Sequence, residues 1–236
     1  MTFDPFNDFE TRGYLRNLFG EKDLSIIKHL EHSSFLAGID AAFKYLSSVQ
    51  ALSYRDVLYT HKLLFGDVYP WAGQDRAHTA PDIAVSKGSV LFAHPNDAQA
   101  AVEYALKNGS HKTFMAEKPG EVMGYLAYGH PFLDGNGRTT IVVHTELAQR
   151  AGISIEWEKT SKVEYLAALT REIECPGAGH LDAHLKPYLR EALGAERLVG
   201  HVISTRGLSE PTEDSKVLGK VSDPDVQGKR SGNPIL

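Results

Sequence analysis

Apolar residues recur along most of this chain at the spacing of helix faces. Phe35, Leu36, Ile39, Ala42, Phe43 and Leu46 share one stripe, and Tyr54, Val57, Leu58, His61, Leu64 and Phe65 share another. Pro119 suits a first helical turn, where its missing N–H costs nothing, and Val122, Tyr125 and Leu126 continue on one side. Leu181, His184, Leu185, Tyr188 and Leu189 make a further face. Weaker helical periods cover about 22–31, 97–107, 138–151 and 161–174. Each stripe reads as core packing, and together they predict an all-α bundle.

Residues 73–90 break the pattern. They carry little helical period and hold Gly73, Pro81, Asp82 and Gly88. Arg76–Ala80 and Ile83–Ser86, on either side of Pro81-Asp82, are expected to form a small β-hairpin. Two strands alone are only marginally stable, so the hairpin must lean on helices or gain a third strand from a partner. The character changes again near residue 195. Residues 201–236 contain no aromatic residue and are rich in Gly, Pro and Ser, which leaves little to bury against the cost of ordering the chain. The expected organisation is a domain over 1–195 followed over 196–236 by a flexible tail, or by a segment ordered only by contact with something else.

Composition narrows the class without naming a function. The chain has 236 residues, 42% hydrophobic and 23% charged, as an ordinary globular protein does. A formal net charge of -5 supplies no basic footprint for a phosphate backbone, so no nucleic-acid partner is expected. Cys175 is the single cysteine, so no internal disulfide can form. Met1–Glu10 lacks the basic and apolar regions of a signal peptide, and no apolar run is long enough to span a bilayer. A cytoplasmic protein is expected; delivery into another cell by a specialised route would leave no mark in these features.

Chemistry concentrates at His130-Pro131-Phe132-Leu133-Asp134-Gly135-Asn136-Gly137-Arg138, between two apolar helices. Gly135, Asn136 and Gly137 all tolerate positive φ, so the backbone there can curl into a nest of N–H groups. A helix starting at Asn136 or Gly137 would add its unpaired N–H groups and positive dipole end. Arg138 brings a planar donor fork suited to phosphate oxygens, and Asp134 a hard oxygen ligand for Mg²⁺. His130 titrates near neutrality and can accept a hydroxyl proton. Such a set suits phosphoryl or nucleotidyl transfer. The competing reading is a plain Asn-Gly turn between helices.

The nine residues 130–138 resemble the Fic-family signature, H-P-F-x-(D/E)-G-N-G-R-x-x-R. Phe65-Gly66-Asp67-Val68-Tyr69-Pro70-Trp71-Ala72-Gly73, with Arg76 after it, resembles the family's entry to a "flap" hairpin, and Glu164-Tyr165-Leu166-Ala168-Leu169 resembles its later core helices. The resemblance covers roughly residues 20–193. It implies a Fic-type helical bundle that transfers AMP from ATP-Mg²⁺ to a Ser, Thr or Tyr hydroxyl of a target protein. It further implies His130 as general base, Phe132 as loop anchor, Asp134 as Mg²⁺ ligand, and Gly135, Asn136, Gly137 and Arg138 as nucleotide-binding residues. The flap, with Ala77, His78, Thr79, Ala80, Val85, Ser86 and Lys87, would hold the target by strand addition.

One departure bears on the donor. The last signature arginine falls at Ile141, which removes a contact to the γ-phosphate end. Three outcomes follow: another cation such as Arg76, Lys87 or Arg150 compensates, the donor is a nucleoside-diphosphate conjugate as in phosphocholine transfer, or the enzyme is weak or inactive; the rival reading from another class is a non-catalytic module that binds nucleotide or peptide. The family's inhibitory motif, S/T-x-x-x-E-G/N, is approached at Thr113–Lys118, Thr170–Cys175 and Ser209–Asp214, each without the final Gly or Asn. Inhibition would then come from an antitoxin-like partner. His180 and His184 have zinc spacing, but His184 sits on an apolar stripe, where packing is the commoner role.

Overall fold

The computed structural model describes residues 16–205, 208 and 216–230. Two long helices open the fold, α1 (Leu24–Ser48) and α2 (Tyr54–Phe65). The Asp23 carboxylate caps α1 by accepting from the N–H groups of Ser25 and Ile26, and Ser53 with Asp56 forms a capping box on α2. A helical turn, α3 (Arg76–Thr79), precedes a hairpin of β1 (Ile83–Lys87) and β2 (Val90–Leu91). Helices α4 (Ala98–Gly109), α5 (Lys112–Glu117), α6 (Pro119–Gly129) and α7 (Asn136–Ala151) follow. Then come β3 (Ile153–Ile155), α8 (Lys162–Glu174), α9 (His180–Leu185), β4 (Leu189–Glu191) and α10 (Leu198–Ile203). Strand β5 (Lys216–Lys220) and helix α11 (Pro224–Arg230) end the described chain.

The main core forms between α1, α2, α6 and α7, with Phe35, Ile39, Leu46, Leu64, Phe65, Leu126, Val142 and Val143 all buried. Helix α7 is central: Ile141 to Ala148 are buried without interruption, including His144, Thr145 and Glu146. A helix buried all round must satisfy its polar members internally. His144 does so at Nε2, through Pro119 O at 2.8 Å, and Glu146 through Arg150 at 2.8 Å, whereas His144 Nδ1 and Thr145 Oγ1 have no hydrogen-bond partner. The predicted helical bundle is what the chain forms, with small antiparallel sheets added.

The hairpin stands one element later than the sequence pattern predicts. Arg76–Ala80 was expected as its first strand, but Asp75 caps a helical turn there by accepting from the N–H of His78. Pro81-Asp82 only leads into β1, and the chain reverses at Gly88, whose φ is +58°. Positive φ at a two-residue connection matches the twist of paired strands, so Gly88-Ser89 is the better turn. The last predicted helical face also splits. It is helical through Leu185, tightens into a 3-10 turn over Lys186–Tyr188 that contains Pro187, and continues with Leu189 in β4, paired to β3. Proline removes the N–H that would extend the helix.

The third strand of the hairpin sheet comes from this chain itself. The order is β2-β1-β5, both pairings antiparallel, with Ile83 opposite Lys220 and Ser86 opposite Lys216. Val226 of α11 packs with Ala84 and Leu91 on one face of this sheet. Core packing thus continues past residue 195, since Leu198 and Val202 of α10 belong to the main core. No described helix is long and apolar enough to cross a membrane.

Candidate functional site

Helix α6 ends at Gly129, and His130 takes the left-handed conformation at its C-cap, φ 41° and ψ 55°. This bend turns the chain out of α6 and into the loop before α7. The His130 carbonyl accepts from Arg76 Nε at 2.7 Å. The same guanidinium donates to Ala93 O at 2.9 Å and Ile83 O at 3.3 Å, and the Arg76 N–H donates to Pro131 O at 2.6 Å. Arg76 is 0% exposed. It therefore ties the loop, the start of β1 and the exit of β2 together and is not placed to meet a phosphate. Arg150 is likewise engaged, by Glu146 and the carbonyls of Leu46, Val49 and Gln50 at the far end of α7.

The loop is braced from inside. Phe132 is buried and its ring stacks on His61, centroids 3.7 Å apart. His61 Nδ1 faces the N–H of Gly73 at 3.0 Å and must accept; its Nε2 therefore carries the proton and donates to Asp134 O, also at 3.0 Å. Burial drives the His61 imidazole down to about 3, so it is neutral and bonded at both nitrogens. The Asn136 side chain closes the loop on itself, accepting from Phe132 N–H at 2.9 Å and donating to Phe132 O at 2.8 Å. Only its backbone is left to line the nest.

Gly135 precedes α7 with φ +75°, and a Cβ there would stand 2.6 Å from the Phe65 ring, so both conformation and space require glycine. A Cβ at Gly137 would meet nothing within 4 Å. The first turn of α7 thus faces open space with N–H groups that have no partner inside the helix. Arg138 follows, its guanidinium 4.7 Å from the Phe65 ring centroid and Nη2 3.2 Å from Glu31 Oε1.

His130 lies beside this first turn. It is 7% exposed, and the Phe92 ring stacks on one face at 3.7 Å. Burial first, then the charge of Arg76, holds the imidazole well below its ordinary range; Lys87 adds to this and Asp134 opposes it. The imidazole is therefore neutral around pH 7, the state in which such a ring can take a proton.

Two residues of α1 join the site that sequence reasoning did not single out. Lys28 Nζ lies 2.6 Å from Asp134 Oδ2 and 3.1 Å from Glu31 Oε2. Asp134 Oδ1 accepts from Gly135 N–H at 2.6 Å. Burial works to raise the Asp134 carboxyl, but Lys28, Arg138 and the Gly135 N–H hold it below the usual carboxylate range. Glu31 shifts upward, by burial and by the charge of Asp134, against Arg138 and Lys28. The signal was present: Glu31 falls four residues after Ile27 and four before Phe35, on a buried stripe where a carboxylate needs a cation.

Of the expected flap residues, Val85, Ser86 and Lys87 lie in β1, whereas Ala77, His78 and Thr79 lie in the helical turn and Ala80 ends it. His184 packs between the rings of Tyr165 and Tyr188, and no group of three or more His, Cys, Asp or Glu arranged for a metal occurs among the described residues.

Known proteins share this fold. Residues 51–148, which include the loop, match the model of the Fic/DOC family. Protein adenylyltransferase VbhT of Bartonella schoenbuchensis is 30% identical over 174 residues, 70% of this chain and 35% of that protein. Probable protein adenylyltransferase y4lH of Sinorhizobium fredii is 31% identical over 120 residues, 47% of this chain and 60% of that protein. The chain thus spans roughly a third to three fifths of these relatives' length. The fold is that of the N-terminal Fic domain of a putative cell filamentation protein of Bartonella quintana, solved with ADP (TM-score 0.64, 20% identity, 80% of this chain and 96% of that one). BepC of Bartonella tribocorum, solved with AMPPNP, gives a TM-score of 0.60 at 21% identity, over 76% of this chain and 93% of that one. By its signature loop, the helices that carry it and these relatives, the chain belongs to the Fic/DOC family.

Proposed function

We propose that this chain transfers AMP from ATP to a Ser, Thr or Tyr hydroxyl of a target protein. The reading rests on one observation: a buried, neutral imidazole at His130 stands beside an open helix N-terminus at Gly137. In the reaction His130 takes the hydroxyl proton, the alcohol oxygen bonds to the α-phosphorus, and the bond to pyrophosphate breaks. The first-turn N–H groups of α7 and the Arg138 fork hold the phosphates in place. Relatives named protein adenylyltransferases, and a relative's structure titled with AMPPNP, support the donor.

Mg²⁺ suits the Asp134 carboxylate. Asp134 is partly exposed beside the open face of Gly137, and Mg²⁺ is commonly held by one or two carboxylates, phosphate oxygens and water. When bound, the ion would neutralise phosphate charge.

A donor without a γ-phosphate is the second reading. Ile141 is buried and uncharged, while Arg76 and Arg150 are committed elsewhere. Incubation with labelled ATP, and separately with labelled nucleoside-diphosphate conjugates, separates the two. Labelling of protein by either donor should vanish in His130→Ala. Equal labelling by the wild type and this variant with every donor would end the transferase reading in favour of a binding module.

The target is expected at the hairpin, through Val85, Ser86 and Lys87. Because β5 pairs with β1, a target strand can use that edge only after Lys216–Lys220 leaves it. The structural relatives are VirB-translocated effectors of Bartonella, which supports delivery into another cell as part of the same proposal.

A further inference from the structure

We infer that Lys28 is a built-in counter-ion that occupies the cation position at Asp134 and must yield it before a divalent metal binds. The inference rests on the reading of Asp134 as the metal-facing carboxylate, but its test does not use catalysis. Its basis is the order of charges along one line of contacts. Asp134 Oδ2 meets Lys28 Nζ at 2.6 Å, Lys28 meets Glu31 Oε2 at 3.1 Å, and Glu31 Oε1 meets Arg138 Nη2 at 3.2 Å. Two carboxylates and two cations thus form a neutral chain beneath the nest.

The four members are not equally fixed. The Glu31 side chain is 0% exposed on the buried face of α1, and Arg138 is backed by the Phe65 ring. The Lys28 side chain is 30% exposed and the Asp134 side chain 27%. Lysine carries a point charge on a flexible four-carbon stem, so it can move without taking the backbone along. The other Asp134 oxygen is already held by the Gly135 N–H at 2.6 Å. A lone divalent ion therefore meets a carboxylate whose charge is already answered and whose oxygens both have donors. A metal arriving with a polyphosphate meets a different situation, because the phosphates give the displaced ammonium a new anionic partner. Metal and donor should enter as one complex, with the ammonium passing from Asp134 to phosphate.

The test is Mn²⁺ binding to the full chain without nucleotide, read from the electron paramagnetic resonance signal of the free ion. The wild type should bind Mn²⁺ at least tenfold more weakly than Lys28→Met. Lys28→Arg, which keeps the charge, should stay as weak as the wild type, and the gain in Lys28→Met should disappear when Asp134→Asn is added. Lys28→Gln replaces Lys28→Met if circular dichroism shows the latter to be unfolded. Equal or weaker Mn²⁺ binding by the neutral variant would overturn the proposal, as would a gain that survives Asp134→Asn. Failure of the His130→Ala comparison would sink the transferase reading and leave this result untouched.

Discussion

Exchanging His61 for glutamine should make the protein less sensitive to acid by one proton. In the folded state its Nδ1 accepts the Gly73 N–H and its Nε2 donates to Asp134 O, so a second proton on the ring would point one donor at another. Its value is driven down from 6.5 to about 3 by burial. In the unfolded chain the same ring titrates near 6.5. A depressed folded value means that the unfolded state binds the extra proton; the contribution is fully present above pH 6.5 and is lost as pH falls toward 3. At about 1.4 kcal/mol per pH unit, acidification from pH 7 to 5 costs about 2 kcal/mol through His61 alone. His144, lowered to about 4 by burial, adds a similar loss over this range, and His130 shifts the same way. These are common to both proteins and cancel in the comparison. Glutamine offers one acceptor and one donor and does not titrate. Urea denaturation at pH 7, 6 and 5 should show the wild type losing about 2 kcal/mol more than His61→Gln between the ends of that range. Equal losses would refute the assignment of His61 as a buried neutral brace of the loop.

Arg76→Met should leave the carbonyls of His130, Ile83 and Ala93 without this donor, lowering stability by about 2–5 kcal/mol in urea denaturation and loosening the loop and hairpin together. Unchanged stability would mean that water or other groups serve those carbonyls equally well. Gly219→Val should release β5, because φ +145° there is a conformation open to glycine alone. Amide exchange over residues 83–87 should then rise at least tenfold while that of α7 stays constant; unchanged exchange would mean that β5 does not protect the β1 edge.

Much of the architecture could be read from one dimension. The faces of α1 and α2, the Pro119 start of α6 and the left-handed Gly135 before α7 all rest on interactions within a few residues, which periodicity and turn chemistry record directly, although Asn136 and Gly137 are already helical. Within that loop Phe132 is buried and His130 forms the left-handed C-cap of α6.

Other features depended on contacts between distant segments. The hairpin moved because Asp75 caps a helical turn over Arg76–Thr79 and Arg76 finds its partners across the loop and both strands, which no local pattern announces. Strand β5 was hidden in a stretch of tail-like composition, since its partner β1 is more than a hundred residues away. Lys28 and Asp134, 106 positions apart, meet only because α1 packs against the start of α7. The sequence by itself determined the long helices and the loop before α7, because hydrogen bonds from residue to near residue shape both. Only the tertiary structure decided which charges share that loop and which strand guards its hairpin, because burial and ion pairing join residues that the chain order keeps apart.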